Sequence, residues 1–398
     1  MSQSILAGVR ILDLSTIVAG PAASMVLADL GADVIKVERV GVGEDGRGMS
    51  PHRGPWGAYF TLLNRGKRSI AVDITTPEGK QAVLKIAEGC DVWMENFRGG
   101  TAQRLGLDEA VVRAHKPDII YASLSGYGPG GPDHTRPGYD AILQARTGIM
   151  SVTGNGEGQP VRAGVSVLDF GAGVWMALGV VAALLERKNS GTGQRVDTSL
   201  FQTGVMLMAY HLLYRQFTGM NPQQQGSRHT AFAPYGAYQA LDGTLMIGVS
   251  GDRAFGRLCT ALGHPEWADD PRFAANPGRV ANTPVLDGLM TEVLRTQPVA
   301  HWTAVLDEAD VANDPLQNAE QVLADRQVAA LGQLEAVALG EEGSAWLSRL
   351  PLELSATPPA IQGPPPKLGE HTRAVLREAG YSGEEIETLL QRAICGAA

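Results

Sequence analysis

The first 125 residues alternate between short apolar runs and longer segments whose apolar positions recur every three or four residues. Short apolar runs predict buried strands, and a period of three to four predicts amphipathic helices. The predicted strands are GVRILDLS, DVIKVER, RSIAVDI, DVWMEN and PDIIYASLSGYG, and the helices between them are PAASMVLADLG, TPEGKQAVLKIAEG and LDEAVVRAHK. Such alternation predicts an α/β fold in which helices cover a parallel sheet.

The second half of the chain has a different pattern. The stretch VRAGVSVLDFGAGVWMALGVVAALLER changes from small residues to a long helix, and NSGTGQRVDTSLFQTGVMLMAYHLL predicts a turn, a strand and another helix. A polar, Gln-rich link near residues 215–230 precedes two alternating runs around Asp242 and Gly243, which predict a β-hairpin. Helical patterns near 252–263 and 283–309 follow, then a Pro-rich crossing and a final helix pair. A second, smaller domain is expected to begin after the link.

Composition narrows the class of protein. The chain has 398 residues, 44% of them hydrophobic and 19% charged, which is enough for two domains with cores of their own. The net charge of -9 argues against nucleic-acid binding. Residues 36–104 nevertheless hold eleven Lys and Arg against eight Asp and Glu, so this segment either faces an anion or is a solvated basic surface.

Cysteine usage and the longest apolar run bear on location. Cys90, Cys259 and Cys395 are widely separated, which favours reduced thiols over disulfides or a zinc site, and no metal is implied. The apolar run Val174 to Leu185 is shorter than the segment that spans a bilayer core of about 30 Å. No membrane association and a cytoplasmic location are the expectations.

One carboxylate, Asp169, lies where the small residues give way to the long helix. An aspartate in this position typically caps the free N–H groups of the helix. The same position suits a nucleophile, because helix amides favour the ionised carboxylate and the glycines around it leave room for an acyl group. The sequence leaves both roles open.

Two other motifs offer binding groups. The first strand–helix–strand unit ends in KVER and resembles the start of a dinucleotide-binding fold. Its first turn lacks the G-x-G-x-x-G motif, which disfavours a nicotinamide dehydrogenase. Arg39, at the end of the second strand, favours binding of a phosphate. The motif RPGYDAILQARTG places Tyr139, Asp140 and Gln144 near a helix start, where they either orient a substrate or form a hydrogen-bonded core network.

These pieces together resemble one family along nearly the whole chain, the class III coenzyme A transferases (CaiB/BaiF family). The resemblance rests on LDLSTIVAGPAASMVLADLGADVIKVER, NRGKRSIAVDITTPEGK, DVWMENFRGGTAQRLGL, SLSGYGPGGP, RPGYDAILQARTG, LDFGAG and LGEHTRAVLREAGYS. It implies an interlocked homodimer of ring-like chains, each with a large Rossmann-like parallel-sheet domain and a smaller α+β domain. The expected boundaries are 1–215 for the N-terminal part of the large domain, 225–325 for the small domain and 330–398 for the return that completes the large one.

The resemblance also implies a chemistry. Asp169 corresponds to the family's nucleophile, which forms a mixed anhydride and then an aspartyl-CoA thioester, so no tightly bound cofactor is expected and CoA thioesters are the substrates. The positions carried over to CoA binding are Ala19, Arg39, Val72, Asn96, Phe97, Arg104 and Tyr139. Asp140 and Gln144 are placed beside the nucleophile. Thr16, Val18, Thr75 and Pro137 depart from formyl-CoA transferase, and Arg136 is a substitute for the lysine missing at 137.

The same comparison bears on the acceptor acid. The glycine-rich loop of the oxalate-utilising members is absent, which disfavours oxalate, and RHTAFAPYGAY resembles members that use small dicarboxylates. Arg228 and His229 are therefore expected to hold a second carboxylate, with succinyl-CoA as the donor. The alternative on this fold is an α-methylacyl-CoA racemase, which uses a histidine where this chain has Tyr139, and a phenol is a poor general base at neutral pH.

Overall fold

The computed structural model describes residues 4–156 and 159–398. The strands, in chain order, are β1 (Arg10–Asp13), β2 (Asp33–Glu38), β3 (His52–Arg53), β4 (Trp56–Gly57), β5 (Arg68–Val72), β6 (Val92–Glu95), β7 (Ile120–Ser125), β8 (Arg195–Ser199), β9 (Tyr235–Gln239), β10 (Thr244–Gly248), β11 (Ala312–Pro315), β12 (Leu334–Ala338), β13 (Ser344–Ser348) and β14 (Cys395–Gly396). The α-helices are α1 (Ala19–Asp29), α2 (Ala58–Leu63), α3 (Pro77–Ala87), α4 (Thr101–Leu105), α5 (Glu109–His115), α6 (Asp140–Thr147), α7 (Ile149–Val152), α8 (Val167–Ser190), α9 (Leu200–Leu207), α10 (Ala209–Thr218), α11 (Asp252–Ala261), α12 (Asn276–Ala281), α13 (Thr283–Leu294), α14 (Val299–Glu308), α15 (Ala319–Leu323), α16 (Arg326–Ala330), α17 (Thr372–Glu378) and α18 (Gly383–Gln391).

The chain forms two compact units. The first comprises the residues up to Ile149 together with Ala163–Leu212 and Ala329–Ala398. The second comprises Met150–Arg162 and Leu213–Val328.

A largely parallel sheet organises the first unit, as the alternation of strands and helices predicts. Its spatial order is β14, β5, β2, β1, β6, β7, β8, and every pair is parallel except β14 with β5. Successive strand residues face opposite sides, so Ile11 packs with α1 and α8 while Leu12 packs with α3, α5 and α18. The chain leaves β1 toward β2 and later returns to β6 on its other side. This reversal of winding direction lies between β1 and β6.

Local signals set several element ends. Thr76 caps α3 by accepting a hydrogen bond from the Gly79 amide at 3.0 Å, and Pro77 occupies the first helical position, as the sequence predicts. At the other end of the chain, the Pro-rich crossing is held by backbone bonds from the Ala360 amide to Asp29, at the end of α1, and from the Gly66 amide, before β5, to Pro364. It leads to α17, α18 and the edge strand β14.

The long helix α8 packs against α1, β7 and β8. Gly173 permits the close approach of α1, because a Cβ atom there would lie 2.9 Å from the Ala19 carbonyl oxygen. By length and composition alone α8 could cross a membrane, which corrects the estimate made from the apolar run. A core helix passes the same test, and Ala172, Met176 and Val180 are buried in the core of this unit.

The second unit contains the predicted hairpin. Strands β9 and β10 pair antiparallel around Asp242 and Gly243, and β11 joins the other edge of β10. Leu245 and Ile247 alternate inward and pack against Phe255, Trp302 and helix α13.

Candidate active site

Two adjoining clefts follow the carboxyl ends of the parallel strands, where open α/β sheets bind their ligands. The Asp169 cleft has a volume of about 270 Å³ and is lined by residues 16–19, 96–98, 124–126 and 136–139 with Asp169 and Leu200. The Arg39 cleft, of about 490 Å³, is lined by residues 37–40, 44–45 and 72–75 with Val42, Leu14 and Leu105. Thr16 and Phe97 line both clefts, so the two meet at the reversal point between β1 and β6.

Asp169 lies in the first turn of α8 and is partly buried. It does not cap the helix: Ser166 occupies the N-cap position and makes no side-chain capping bond. No residue in the described ranges donates a hydrogen bond to the Asp169 carboxylate. The capping interpretation is therefore wrong for this residue, which lines the cleft.

The cap of α8 comes from Asp140, at the start of α6. One oxygen of Asp140 accepts hydrogen bonds from the Leu168 amide at 2.7 Å and the Asp169 amide at 3.2 Å. Its other oxygen accepts from the Gln144 side chain, whose own oxygen accepts from the Ala163 amide at 2.9 Å. Asp140 and Gln144 are both buried, so this network fixes the start of α8 and the position of Asp169.

The pKa of Asp169 differs from the sequence-based expectation that helix amides keep this carboxylate ionised. Burial, and secondly the Asp140 carboxylate, raise the pKa of Asp169 from 3.8 to about 7. Burial disfavours the charged form, and the like charge of Asp140 adds to that effect. The amides at the start of α8 do not offset them, because two of them already bind Asp140.

Tyr139 lines the Asp169 cleft with its side chain 64% exposed. The segment before α6, which presents Tyr139, approaches the loop after β7 very closely: a Cβ atom on Gly126 would lie 3.0 Å from the Gly138 Cα atom. Arg98 and Arg136 line the same cleft; Arg98 donates to the Thr135 carbonyl and Arg136 pairs with Asp133 at 3.2 Å.

The loop after β1 forms the wall shared by the two clefts. The Asn96 side chain accepts from the Thr16 amide and donates to the Thr16 carbonyl, each at 2.8 Å. Both ends of the Asn96 amide contact backbone, so Asn96 shapes the wall. It also lines the Asp169 cleft, and its contact with CoA stays a prediction. Ile17 has φ of 70°. This left-handed conformation costs a non-glycine residue on the order of 1–3 kcal/mol. Ala19, the first residue of α1, lines the cleft beside this loop.

The Arg39 cleft brings together other positions expected to bind CoA. Arg39 lies at its edge with a 60% exposed side chain that pairs with Asp45. Val72, at the end of β5, and Phe97, after β6, supply apolar surface. Arg104 lines neither cleft; it donates to the Thr101 hydroxyl at 2.7 Å.

A buried ionic network lies beneath the clefts. Lys67 is fully buried and donates to Asp13 at 3.2 Å and to Ser24 at 2.6 Å. Burial lowers the pKa of Lys67 to about 8. Burial acts to raise the pKa of Asp13, but Lys67 and Lys36 lower it to about 2. Lys67 therefore holds β1 and α1 together, and Arg68 likewise pairs with Asp33 and Glu378.

Arg228 and His229 belong to the second unit. Arg228 donates through Nε to Asp287 at 2.6 Å, and no described residue accepts a hydrogen bond from its terminal amino groups. His229 packs against the rings of Phe232 and Tyr235 at centroid distances of 5.0 and 5.6 Å.

Comparison with known proteins identifies the family. The profile described as CoA-transferase family III matches residues 6–372. The succinate–glutarate CoA-transferase of Agrobacterium fabrum is 38% identical over 94% of this chain and 95% of its own length. The acetyl-CoA:oxalate CoA-transferase of Acetobacter aceti is 35% identical over 93% of this chain and 95% of its own length. The crystal structure of a CAIB/BAIF family protein from Brucella suis superimposes with a TM-score of 0.86 at 35% identity, covering 95% of this chain and 100% of that one. The chain therefore belongs to CoA-transferase family III and is a CoA-transferase.

Proposed function

We propose that this protein transfers CoA from succinyl-CoA to a small dicarboxylic acid, with Asp169 as the covalent carrier. One observation supports this most directly: in the part of the chain that the structure describes, the Asp169 carboxylate has no hydrogen-bond donor and opens into a cleft that adjoins a second, larger one. The name of the Agrobacterium relative supports the choice of substrates. The oxalate transferase is nearly as similar, so the acceptor is decided by the acyl site and not by overall identity.

In the first half-reaction an Asp169 oxygen attacks the thioester carbonyl carbon of the donor. The C–S bond breaks, CoA leaves as the thiolate, and the donor acyl group is joined to Asp169 as a mixed anhydride. The thiolate then attacks the Asp169 carbonyl carbon, which releases the donor acid as a carboxylate and forms an aspartyl-CoA thioester. Covalent steps of this kind divide one difficult exchange into easier ones.

In the second half-reaction the acceptor carboxylate attacks the aspartyl thioester and displaces the thiolate. The thiolate attacks the acceptor acyl carbon of the new anhydride, which forms the new acyl-CoA and restores the Asp169 carboxylate. One thioester is consumed and one is formed, so the balance requires no ATP.

The two clefts divide substrate binding between them. Arg39, Val72 and Phe97 hold the nucleotide part of CoA, with Arg39 on phosphate and Phe97 against apolar or aromatic groups. Arg98, Arg136 and Tyr139 surround the acyl end beside Asp169. Ala19 contributes through the wall at the start of α1, whereas Arg104 contacts CoA only if its side chain turns from Thr101.

The active form is an interlocked homodimer in this proposal. Large apolar side chains are exposed along α8 and α9, among them Trp175, Leu178, Leu185, Met206 and Leu207. Exposed apolar residues gathered on neighbouring helices typically mark an interface. A cytoplasmic setting accompanies the proposal, since the cysteines are free and buried.

Arg228 and His229 hold the second carboxylate of the acceptor. Asp287 binds only the Nε edge of Arg228, so the terminal amino groups can pair with a carboxylate. We expect Arg228→Ala to raise KM for glutarate at least tenfold and KM for butyrate less than twofold, as measured in steady-state assays with each acid. Equal changes for the two acids would contradict this role, and Asp287→Asn serves as a control for the lost ion pair.

The covalent mechanism is tested by intact mass spectrometry after mixing with succinyl-CoA. Wild type should gain the mass of CoA less one water, because one Asp169 oxygen leaves with the donor acid, and borohydride reduction should place the modification on the peptide that contains Asp169. Asp169→Asn, which keeps the size of the side chain, should show neither. An adduct on the variant, or none on wild type with any donor, would refute the mechanism. Deuterium exchange at the α-carbon of a 2-methylacyl-CoA without an adduct would indicate racemase chemistry.

The acceptor is then identified with a panel of glutarate, citramalate, oxalate and butyrate. The proposal expects the highest kcat/KM with glutarate or citramalate. A preference for butyrate would refute the dicarboxylate assignment while leaving the role of Asp169 intact.

A further inference from the structure

We propose that Glu44 is a positioning residue for CoA transfer, because its carboxylate holds the backbone of Ile17 in the wall of the Asp169 cleft. The proposal rests on the covalent role of Asp169 given above and adds a residue that acts on that site from the neighbouring cleft.

The contacts of Glu44 are unusual for a surface-loop carboxylate. The residue is 2% exposed, although it lies in the loop after β2 that lines the Arg39 cleft. Its Oε2 atom accepts hydrogen bonds from the Ile17 amide at 2.9 Å and the Gly46 amide at 2.8 Å. Lys36, also buried, lies 3.9 Å from Oε1 and compensates the charge. A buried carboxylate with these partners is fixed in place.

Ile17 requires such a tether. Its φ of 70° lies in the left-handed region, which a β-branched residue rarely adopts, so the backbone would relax if nothing held it. Asn96 holds the neighbouring Thr16, and Lys36 holds the Ser15 carbonyl at 2.8 Å. Among the described residues, Glu44 alone binds the Ile17 amide.

The geometry gives this tether a functional consequence. Ile17 lines the Asp169 cleft, and Glu44 lines the Arg39 cleft, so one side chain joins the walls of both. If Ile17 relaxes, the wall of the Asp169 cleft moves at a residue that does not line the Arg39 cleft. Small misplacements of a reacting group lower the rate of the covalent step much more than they lower binding.

The test uses Glu44→Gln and Glu44→Asp. Two backbone amides donate to Oε2, and the Lys36 and Asn64 side chains face Oε1. Glutamine therefore turns its NH2 group against donors in either orientation, and aspartate keeps the charge opposite Lys36 but falls short of the Ile17 amide. Each should lower kcat about tenfold or more, with KM for succinyl-CoA within about twofold of wild type. A kcat within twofold of wild type in both variants, or a raised KM with kcat retained, would overturn the proposal. If the glutamine variant fails to fold, the aspartate variant decides.

Glycine at position 17 separates positioning from general destabilisation. Glycine adopts positive φ without strain, so the tether should matter less in an Ile17→Gly background. The loss of kcat caused by Glu44→Asp should fall from about tenfold to about threefold or less in that background. An equal loss in both backgrounds would refute the tether. The CoA adduct on wild-type Asp169 is measured in the same series. If the adduct is absent, the proposed function fails. If the adduct is present and the Glu44 variants have wild-type kcat, only the positioning role fails.

Discussion

The raised pKa of Asp169 predicts that transfer activity depends on pH in the neutral range. The reacting form is the carboxylate, and burial together with Asp140 raises its pKa to about 7. The ionised fraction is then about one-eleventh at pH 6, one-half at pH 7 and ten-elevenths at pH 8. Since kcat/KM follows the ionisation of the free enzyme, it should rise about tenfold from pH 6 to pH 8 and then level off. An aspartate at its ordinary value of 3.8 would give a flat profile over this range.

Asp140→Asn is the matched perturbation. Asparagine retains an oxygen for the Leu168 amide but removes the charge that faces Asp169. Burial is the larger cause of the shift and remains in the variant, so the midpoint should fall below 7 and stay above 3.8. At acid pH the variant should therefore retain a larger fraction of its maximal kcat/KM than wild type does. The altered bond to Gln144 should lower the maximal kcat/KM that it reaches at alkaline pH.

The assay is kcat/KM for succinyl-CoA, measured by separation of the acyl-CoA products from about pH 5 to about pH 9 with glutarate in excess. Phosphate groups of the substrate also titrate near pH 6, but they would affect wild type and Asp140→Asn equally. A flat wild-type profile would refute the raised pKa. An identical midpoint in the two proteins would show that the titrating group is not Asp169.

Three further predictions follow from the same site. Because the pKa of Asp169 is raised in the folded state, wild type should lose stability as pH rises from about 4 to about 7. Asp169→Asn should therefore have the wild-type Tm near pH 4 and a higher Tm than wild type at pH 8. An equal Tm at pH 8 would contradict this. Gly126→Ala places a Cβ atom 3.0 Å from the Gly138 Cα atom, so it should cost about 1–3 kcal/mol of unfolding free energy and displace Tyr139. Urea unfolding and kcat measure these two effects, and a fully active variant of wild-type stability would show that the segment before α6 shifts at no cost. Arg39→Ala should raise KM for succinyl-CoA severalfold and leave kcat within about twofold of wild type. Arg373→Ala, which also removes an exposed arginine from an ion pair, is the control. An unchanged KM in Arg39→Ala would show that Arg39 does not bind CoA.

The sequence determined features that depend on neighbouring residues. The cap at Thr76 with Pro77 after it and the hairpin at Asp242 and Gly243 follow from side-chain and backbone preferences within a few residues, so the pattern predicted both. The alternation of strands and helices likewise predicted the parallel sheet, and the motif at Asp169 pointed to a reactive carboxylate at a helix start.

Only the tertiary structure decided how the carboxylates divide their roles. Asp140 lies 29 residues before Asp169 and caps its helix, so the capping role that the local sequence offered for Asp169 belongs to Asp140. The bond between Asn96 and Thr16 spans 80 residues, and that between Glu44 and Ile17 spans 27. Burial, which raises the pKa of Asp169, is likewise a property of the packed unit. Desolvation and long-range hydrogen bonds depend on which segments the fold brings together, whereas caps and turns depend on adjacent residues alone.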